Sequence, residues 1–396
     1  MHRVILIALV LSIAACRGSS VPEAPQSQAP PATPAARVSP QHLRTQGTTF
    51  VRADGSVFEW RGISAFALIE QIASGRSAEA ESYLAWAASQ KITVVRVLVM
   101  AQHLFKLSPE QGRASLPRLL EMAAAHGLHV EIVALADTAG ASINFEQHIK
   151  DVGAIAARHA NALVEIANEP GHPTQDAKLH QAAPLESLAA LVPEQVPVAL
   201  GSAEYGDAFA GGDYATIHFP RDTGDDGWGH VRKLAEGASL VERWRKPVVS
   251  DEPIGAGEHF VAGRRDDDPR RFAAAALLTR FAGLQPTFHY EGGLLAKRPT
   301  GREQAAFDAW SKALDAFTEA RVPADGRFLR GDAMKSVADV SGARTTFARS
   351  GDREAWLLIL DPVEDSSHTV RWVAPWRGEG EWKVPGVQLV RAIRQQ

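Results

Sequence analysis

Ala162-Leu163-Val164-Glu165-Ile166-Ala167-Asn168-Glu169-Pro170 decides how the rest of the chain is read. A mostly apolar, strand-like run ends abruptly in an amide, a carboxylic acid and a proline. Proline has no N–H to give to a central ladder, so the strand stops there. The amide and the acid are left side by side at the C-terminal end of a strand, which in a parallel barrel is the rim that carries chemistry. A second acid stands in the same setting, closing Lys246-Pro247-Val248-Val249-Ser250-Asp251-Glu252-Pro253. Two carboxylic acids on one rim are what hydrolysis of a glycosidic bond requires.

On either side of that stretch, strand-like and helix-like segments alternate. Residues 61–66, 93–99, 128–135, 162–168, 196–202, 214–219, 246–252 and 286–291 read as strands, and helical spacing fills most of the intervals. Eight strands separated by helices predict an α/β fold, a (β/α)8 TIM barrel, over residues 49–322. Ahead of it, Val51 to Trp60 reads as a hairpin with Asp54-Gly55 at its turn, so the folded chain is expected to begin near Phe50. Beyond Val322 the runs are short, β-type and divided by Gly, Asp and Pro, which predicts a small C-terminal β domain over residues 323–396. Its Trp372, Trp376 and Trp382 form either a sugar-binding face or part of its packing.

The chain has 396 residues, 45% hydrophobic and 22% charged, with net charge −4. That balance describes a globular protein and gives no electrostatic case for nucleic acid or an anionic membrane surface. The N-terminus is different. A short basic start, Met1-His2-Arg3, leads into an apolar run over residues 4–15 that is too short to span a bilayer but suits a signal peptide. It ends Ala14-Ala15-Cys16, and Cys16 is the single cysteine, which excludes an intramolecular disulfide. This resembles a bacterial lipobox, which implies lipidation of Cys16 and removal of residues 1–15. Residues 16–48, rich in Pro, Ala and Ser, read as an extended tether. The expectation is an exported lipoprotein held at the outer membrane, cell surface or periplasm by its lipid alone.

Strands four and seven place Glu169 and Glu252 on one rim. A retaining glycosidase needs its carboxyls about 5–5.5 Å apart, one to protonate the departing oxygen and one to attack the anomeric carbon. The acid has to keep its proton, through burial or a neighbouring negative charge, and the nucleophile has to stay ionised. Arg96, inside an apolar strand, is the candidate cation, with Glu252, Glu165 or Glu131 as its partner. Asn168 is placed to hydrogen-bond a sugar 2-hydroxyl. Asp251 is expected on the opposite face of its strand. Trp228, in the loop after strand six, either stacks on a sugar or packs within the loop. That loop fails as a calcium site, with Gly224 and Lys233 where ligands are needed. Residues 264–271 are mixed in sign and read as a solvated loop. The histidines lack zinc spacing and no Gly-x-Ser-x-Gly elbow occurs, so neither metal nor cofactor is predicted.

Taken together, Glu165-Ile166-Ala167-Asn168-Glu169-Pro170, Val94-Val95-Arg96-Val97, Ile217-His218-Phe219 and Pro247-Val248-Val249-Ser250-Asp251-Glu252 resemble clan A glycoside hydrolases. The resemblance is closest to glycoside hydrolase family 5, the cellulase and mannanase group, and covers about residues 50–317. It implies that Glu169 is the acid/base and Glu252 the nucleophile. The family usually carries His-x-Tyr after strand six, but here His218 is followed by Phe219 and Pro220. Tyr290, on strand eight, is the candidate substitute for that tyrosine, and Tyr290 or His289 stands where the family has a strand-eight tryptophan. The resemblance implies a retaining glycoside hydrolase acting on a β-linked oligo- or polysaccharide. The alternatives are a carbohydrate-binding surface lipoprotein without catalysis, or a transglycosylase, on the same fold. Linkage, substrate and oligomeric state are not written in the sequence.

Overall fold

The computed structural model describes residues 41–221, 227–261, 264–266, 268–323, 326–343, 345–361, 368–384 and 386–395. Cys16, the signal segment and most of the tether lie outside the described residues, as do residues 222–226 of the rim loop. Among the described residues no helix is long and apolar enough to cross a membrane.

Eight parallel strands form the expected barrel: β1 (Gly62–Ser64), β2 (Val94–Leu98), β3 (His129–Leu135), β4 (Ala162–Ala167), β5 (Val198–Gly201), β6 (Ala215–Ile217), β7 (Val248–Ser250) and β8 (Gln285–Tyr290). Strands β1 to β5 pair in sequence order, β6 pairs β7, β7 pairs β8, and β8 returns to β1. Between β5 and β6 the ring closes through a parallel bridge from Ser202 to Thr216. Strands β2 and β4 are buried at every residue. That is why they read as near-continuous apolar runs interrupted only by Arg96 and Glu165.

Three of the described helices start at a capping side chain. Ser108 and Gln111 form a reciprocal capping box ahead of helix Pro109–Ala125. Asn144 caps Phe145–Ala156 by accepting from the Gln147 N–H, and Asp268 caps Pro269–Phe281 by accepting from that of Arg270.

The fold begins earlier than expected. Arg44–Gln46 pairs with Thr49–Val51, and Leu43 is buried, so residues 43–48 belong to the folded body. At the expected hairpin, Asp54-Gly55 does make the turn, but pairing there is one bridge from Val51 to Val57. The reason for the early start lies in the floor of the barrel. Phe50, Phe58 and Trp60 pack with Val94, Leu163, Tyr214 and Val249 in one buried cluster, with Trp60 stacked on Phe50 at 5.0 Å. The N-terminal hairpin thus plugs the end of the barrel opposite the rim.

After β7, Gly255–Val261 and Arg264–Asp266 form an antiparallel pair, and Asp268 caps a helix. Within residues 264–271, Arg264–Asp266 is therefore strand and Asp268 to Arg271 open a capped helix, in place of the expected loop.

The C-terminal strands are β9 (Arg327–Arg330), β10 (Ala338–Ser341), β11 (Thr345–Ser350), β12 (Glu354–Leu360), β13 (Thr369–Trp372), β14 (Trp376–Val384) and β15 (Val387–Arg394). Five of them form an antiparallel sheet in the order β9-β11-β12-β15-β14, and β10 pairs β13. One sheet face joins the barrel core through Phe347, Trp356, Leu358 and Leu389, and Trp382 packs on Trp356 at 5.0 Å. Trp372 and Trp376 pack on the cluster of Leu329, Ala348, Leu357 and Ile359 on the other face. All three tryptophans are packing residues.

Candidate active site

Strand β4 ends with a change of backbone, not only of residue type. Glu169 takes φ +41°, in the left-handed region that non-glycine residues enter at a cost of order 1–3 kcal/mol. Pro170 follows it, so the chain turns sharply, and Asn168 and Glu169 both face the rim instead of alternating. Gln175 holds the turn by donating to the carbonyls of Asn168 and Leu135. Gly171 lets the Tyr205 ring lie against the turn, since a Cβ there would sit 2.5 Å from the ring. Tyr205 is 37% exposed, which leaves an apolar ring surface open beside the acid.

At the end of β7, Val249 faces the barrel floor, and Asp251, two residues on, continues that inward face. Asp251 is fully buried with Oδ2 3.7 Å from Arg96 Nε, so it does not point to the opposite face. Glu252 departs from strand alternation because β7 has already ended at Ser250 and the chain bends.

Arg96 is the hub. Its side chain is 1% exposed and donates to Glu165 Oε2 from Nε at 3.0 Å and from Nη2 at 2.8 Å. It also donates to Glu252 Oε1 from Nη1 and to Asn168 Oδ1 from Nη2, both at 2.9 Å. Glu131 stands off at 4.0 Å from Nε and instead accepts from the Tyr214 hydroxyl at 3.0 Å. Burial pulls the Arg96 pKa down, but Glu165, Asp251, Glu252 and Glu131 together outweigh it and hold the guanidinium firmly charged. With Oδ1 fixed on Arg96, the Asn168 Nδ2 makes no hydrogen bond among the described residues.

The second cation on Glu252 was not found by sequence reasoning. Arg221 donates from Nη2 to Glu252 Oε2 at 2.8 Å. His289 Nε2 lies 3.6 Å from that oxygen, and His218 Nε2 lies 3.8 Å from Oε1. Burial drives the Glu252 pKa up, but His218, His289, Arg96 and Arg221 outweigh it and hold the carboxyl well below its usual range. His289 is itself kept neutral near pH 7, its pKa pressed down to about 3 by burial, so His218 and the two arginines carry the effect at working pH.

Glu169 differs from expectation. Burial raises its pKa, yet the hydrogen bond and charge of His218, whose Nδ1 lies 3.1 Å from Oε1, more than offset this and lower it. His218 responds in the opposite sense. Burial lowers its pKa, and Glu252 and Glu169 reverse that and raise it. The pair therefore stores its proton on the imidazole, against the acid. Ser202 Oγ accepts from the His218 backbone N–H at 3.0 Å and anchors the end of β6.

Tyr290 does not substitute for the missing tyrosine. Strand β8 alternates, with Thr287 and His289 inward and Phe288 and Tyr290 outward. His289 Nδ1 meets Ser64 Oγ at 2.7 Å, whereas the Tyr290 hydroxyl meets that of Tyr83 at 2.8 Å behind the sheet. Trp228 is 3% exposed within the core cluster, so it packs and offers no stacking face.

Among the described residues, two groups have the spacing to hold a cation, Glu169-His218-Glu252 and Glu165-His218-Asp251, each with ligand atoms within 4.8 Å of one another. Arg96 lies against an acid of each group and Arg221 against Glu252, so their positive charges oppose a metal at either place.

No protein-family model matches the chain. No curated protein sequence matches it either. Solved structures do share its fold. A glycoside hydrolase family 5 structure from Bacteroides vulgatus aligns with 89% of this chain and 93% of its own, at TM-score 0.57 and 13% identity. An endo-1,4-beta-mannanase from Rhizomucor miehei aligns with 71% and 99%, at TM-score 0.51 and 13% identity. A beta-mannanase from the blue mussel Mytilus edulis aligns with 70% and 97%, at TM-score 0.50 and 13% identity. At that identity the likeness establishes the barrel architecture, and the chemistry has to be argued from the site.

Proposed function

We propose that the chain is a retaining glycoside hydrolase that cleaves β-linked bonds of an oligo- or polysaccharide. The observation that carries the reading is the Glu169–Glu252 pair, whose facing carboxylate oxygens lie within 4.8 Å. This spacing suits direct attack and is too short for the water that an inverting site places between carboxyls about 6.5–9.5 Å apart.

In the first step a Glu252 carboxylate oxygen bonds to the anomeric carbon as the bond to the leaving oxygen breaks, and Glu169 delivers a proton to that oxygen. In the second, water attacks the anomeric carbon, gives its proton to Glu169, and releases Glu252 as carboxylate. His218 resupplies Glu169, which explains how an acid with a lowered pKa can still be a proton donor. Asn168 Nδ2 is the group that would bind the sugar 2-hydroxyl, and Tyr205 the exposed ring beside the leaving group. β-Mannans are the first substrates to try, because two of the structures that share the fold are mannanases. Residues 1–15 would be removed as a signal peptide, and Cys16 would carry the lipid at the head of a tether that holds the barrel off an outer membrane or cell surface.

The test is release of reducing ends from β-mannans, β-glucans and xylans by the wild type, Glu169→Gln and Glu252→Gln. Release by the wild type that both substitutions abolish supports the reading. Release that survives both overturns the site, and products longer than the substrate identify glycosyl transfer. Sugar binding without any release would point to a binding protein.

A further inference from the structure

Glu252 is held at both ends, and only one end was expected. A carboxylate with a single partner can still turn about its last bond, because that torsion is broad and roughly two-fold. Here Arg96 takes Oε1 at 2.9 Å and Arg221 takes Oε2 at 2.8 Å, so both oxygens are fixed by separate guanidinium groups. The two arginines are not equivalent. Arg96 is also committed to Glu165 and Asn168 and stands near Asp251, whereas Arg221 reaches in from the rim and its side chain is 25% exposed.

Resting on the hydrolase reading, we propose that Arg221 is a positioning residue for the nucleophile: it fixes Oε2 while Arg96 fixes Oε1, so that Glu252 presents one defined edge to the anomeric carbon.

A guanidinium does this differently from an uncharged donor. It adds a positive charge to a carboxylate that otherwise shares Arg96 with its neighbours. The groups facing Glu252 are Arg96 and Arg221, the imidazoles of His218 and His289, the carboxyls of Asp251, Glu169 and Glu204, and the Tyr205 hydroxyl. Among these, Arg221 is the cation that reaches Glu252 from the rim. The same charge also stabilises Glu252 as the departing carboxylate when the glycosyl ester is hydrolysed. Loss of Arg221 should therefore slow the second step more than the first.

The experiment reads Glu252 directly in the full chain. Protein carrying [δ-13C]glutamate is titrated by NMR, with Glu252→Gln identifying the resonance. In Arg221→Gln the Glu252 midpoint is expected to rise by about one unit or more, as removal of an adjacent cation requires. Arg221→Lys should restore most of that shift. On 2,4-dinitrophenyl β-glycosides, Arg221→Gln should lose about a hundredfold in kcat. The acid limb of its pH profile should move upward with the NMR midpoint, and a burst should appear as the ester accumulates. A merely structural role would leave the midpoint where it is. An unchanged Glu252 midpoint in Arg221→Gln overturns the proposal, whether or not any glycoside is turned over. Absence of turnover by the wild type, with the midpoint shifted, overturns the hydrolase reading and leaves the ion pair standing.

Discussion

Glu131→Gln should make this protein more stable at pH 8 and leave it nearly unchanged at pH 4.5. Glu131 is fully buried, and no described donor reaches its Oε2 or either oxygen of Asp251. Burial, reinforced by the charge of Glu165, raises the Glu131 pKa from 4.5 to about 7, with Arg96 and the Tyr214 hydroxyl only partly opposing it. Asp251 is raised too, by burial first and then by Glu131. The folded pKa of Glu131 lies above the unfolded one, so between them the folded state holds a proton that the unfolded state has lost. Its stabilising contribution is then full below about pH 4.5 and is lost as pH climbs through 7. A shift from 4.5 to about 7 corresponds to about 3 kcal/mol at pH 8. Glutamine keeps the oxygen that accepts from Tyr214 and never ionises, so it should recover up to that amount. Urea unfolding followed by the fluorescence of the nine tryptophans, at pH 4.5 and 8, measures the gap. A gap independent of pH, or a variant less stable than wild type at pH 8, would refute the reasoning.

Arg96→Met should abolish turnover and destabilise the fold by about 3–5 kcal/mol, because it strands Glu165 as a buried carboxylate without its cation and leaves Oε1 of Glu252 without its guanidinium; thermal melts and activity together check it. Phe50→Ala should cost about 3–5 kcal/mol by emptying the barrel floor, with activity per folded molecule intact well below the melting point. Tyr205→Ala should raise KM for oligosaccharides by roughly five- to tenfold, the loss of about 1 kcal/mol of ring contact, and leave kcat on dinitrophenyl glycosides alone.

The barrel was legible because its signals are local and repeated. Parallel strands buried on both faces read as apolar runs, and caps such as Ser108 with Gln111 mark where helices begin. Arg96 was legible for the same reason, since a cation inside such a run must meet a carboxylate. Arg221 was not. It lies in a rim loop behind Pro220, and its reach to Glu252 depends on a tertiary path that no local pattern records.

Tyr290 was misread over parity. The alternation of Thr287 and His289 with Phe288 and Tyr290 is a usable signal, because polar residues there face the barrel interior and apolar ones the helices. Asp251 was misread by a related route: Glu252 was taken as the inward residue of its strand, whereas the strand ends first and the bend turns Glu252 in. Trp228 has glycines on both sides, which suggests an open loop, yet it is covered by core residues distant in sequence.

The early start at Leu43 was missed because 16–48 was read by composition. Its last residues are tied down by the floor of the barrel, not by any propensity of their own.

The central claim is that Glu252 attacks the sugar and Glu169 serves it as acid and then base. Proton NMR of the anomeric signal in the first minutes of hydrolysis of a β-linked oligosaccharide tests this most directly. The account predicts that the β-anomer appears first and the α-anomer follows only by mutarotation. The α-anomer appearing first would mean single displacement by water, and would contradict the assignment of Glu252 as nucleophile.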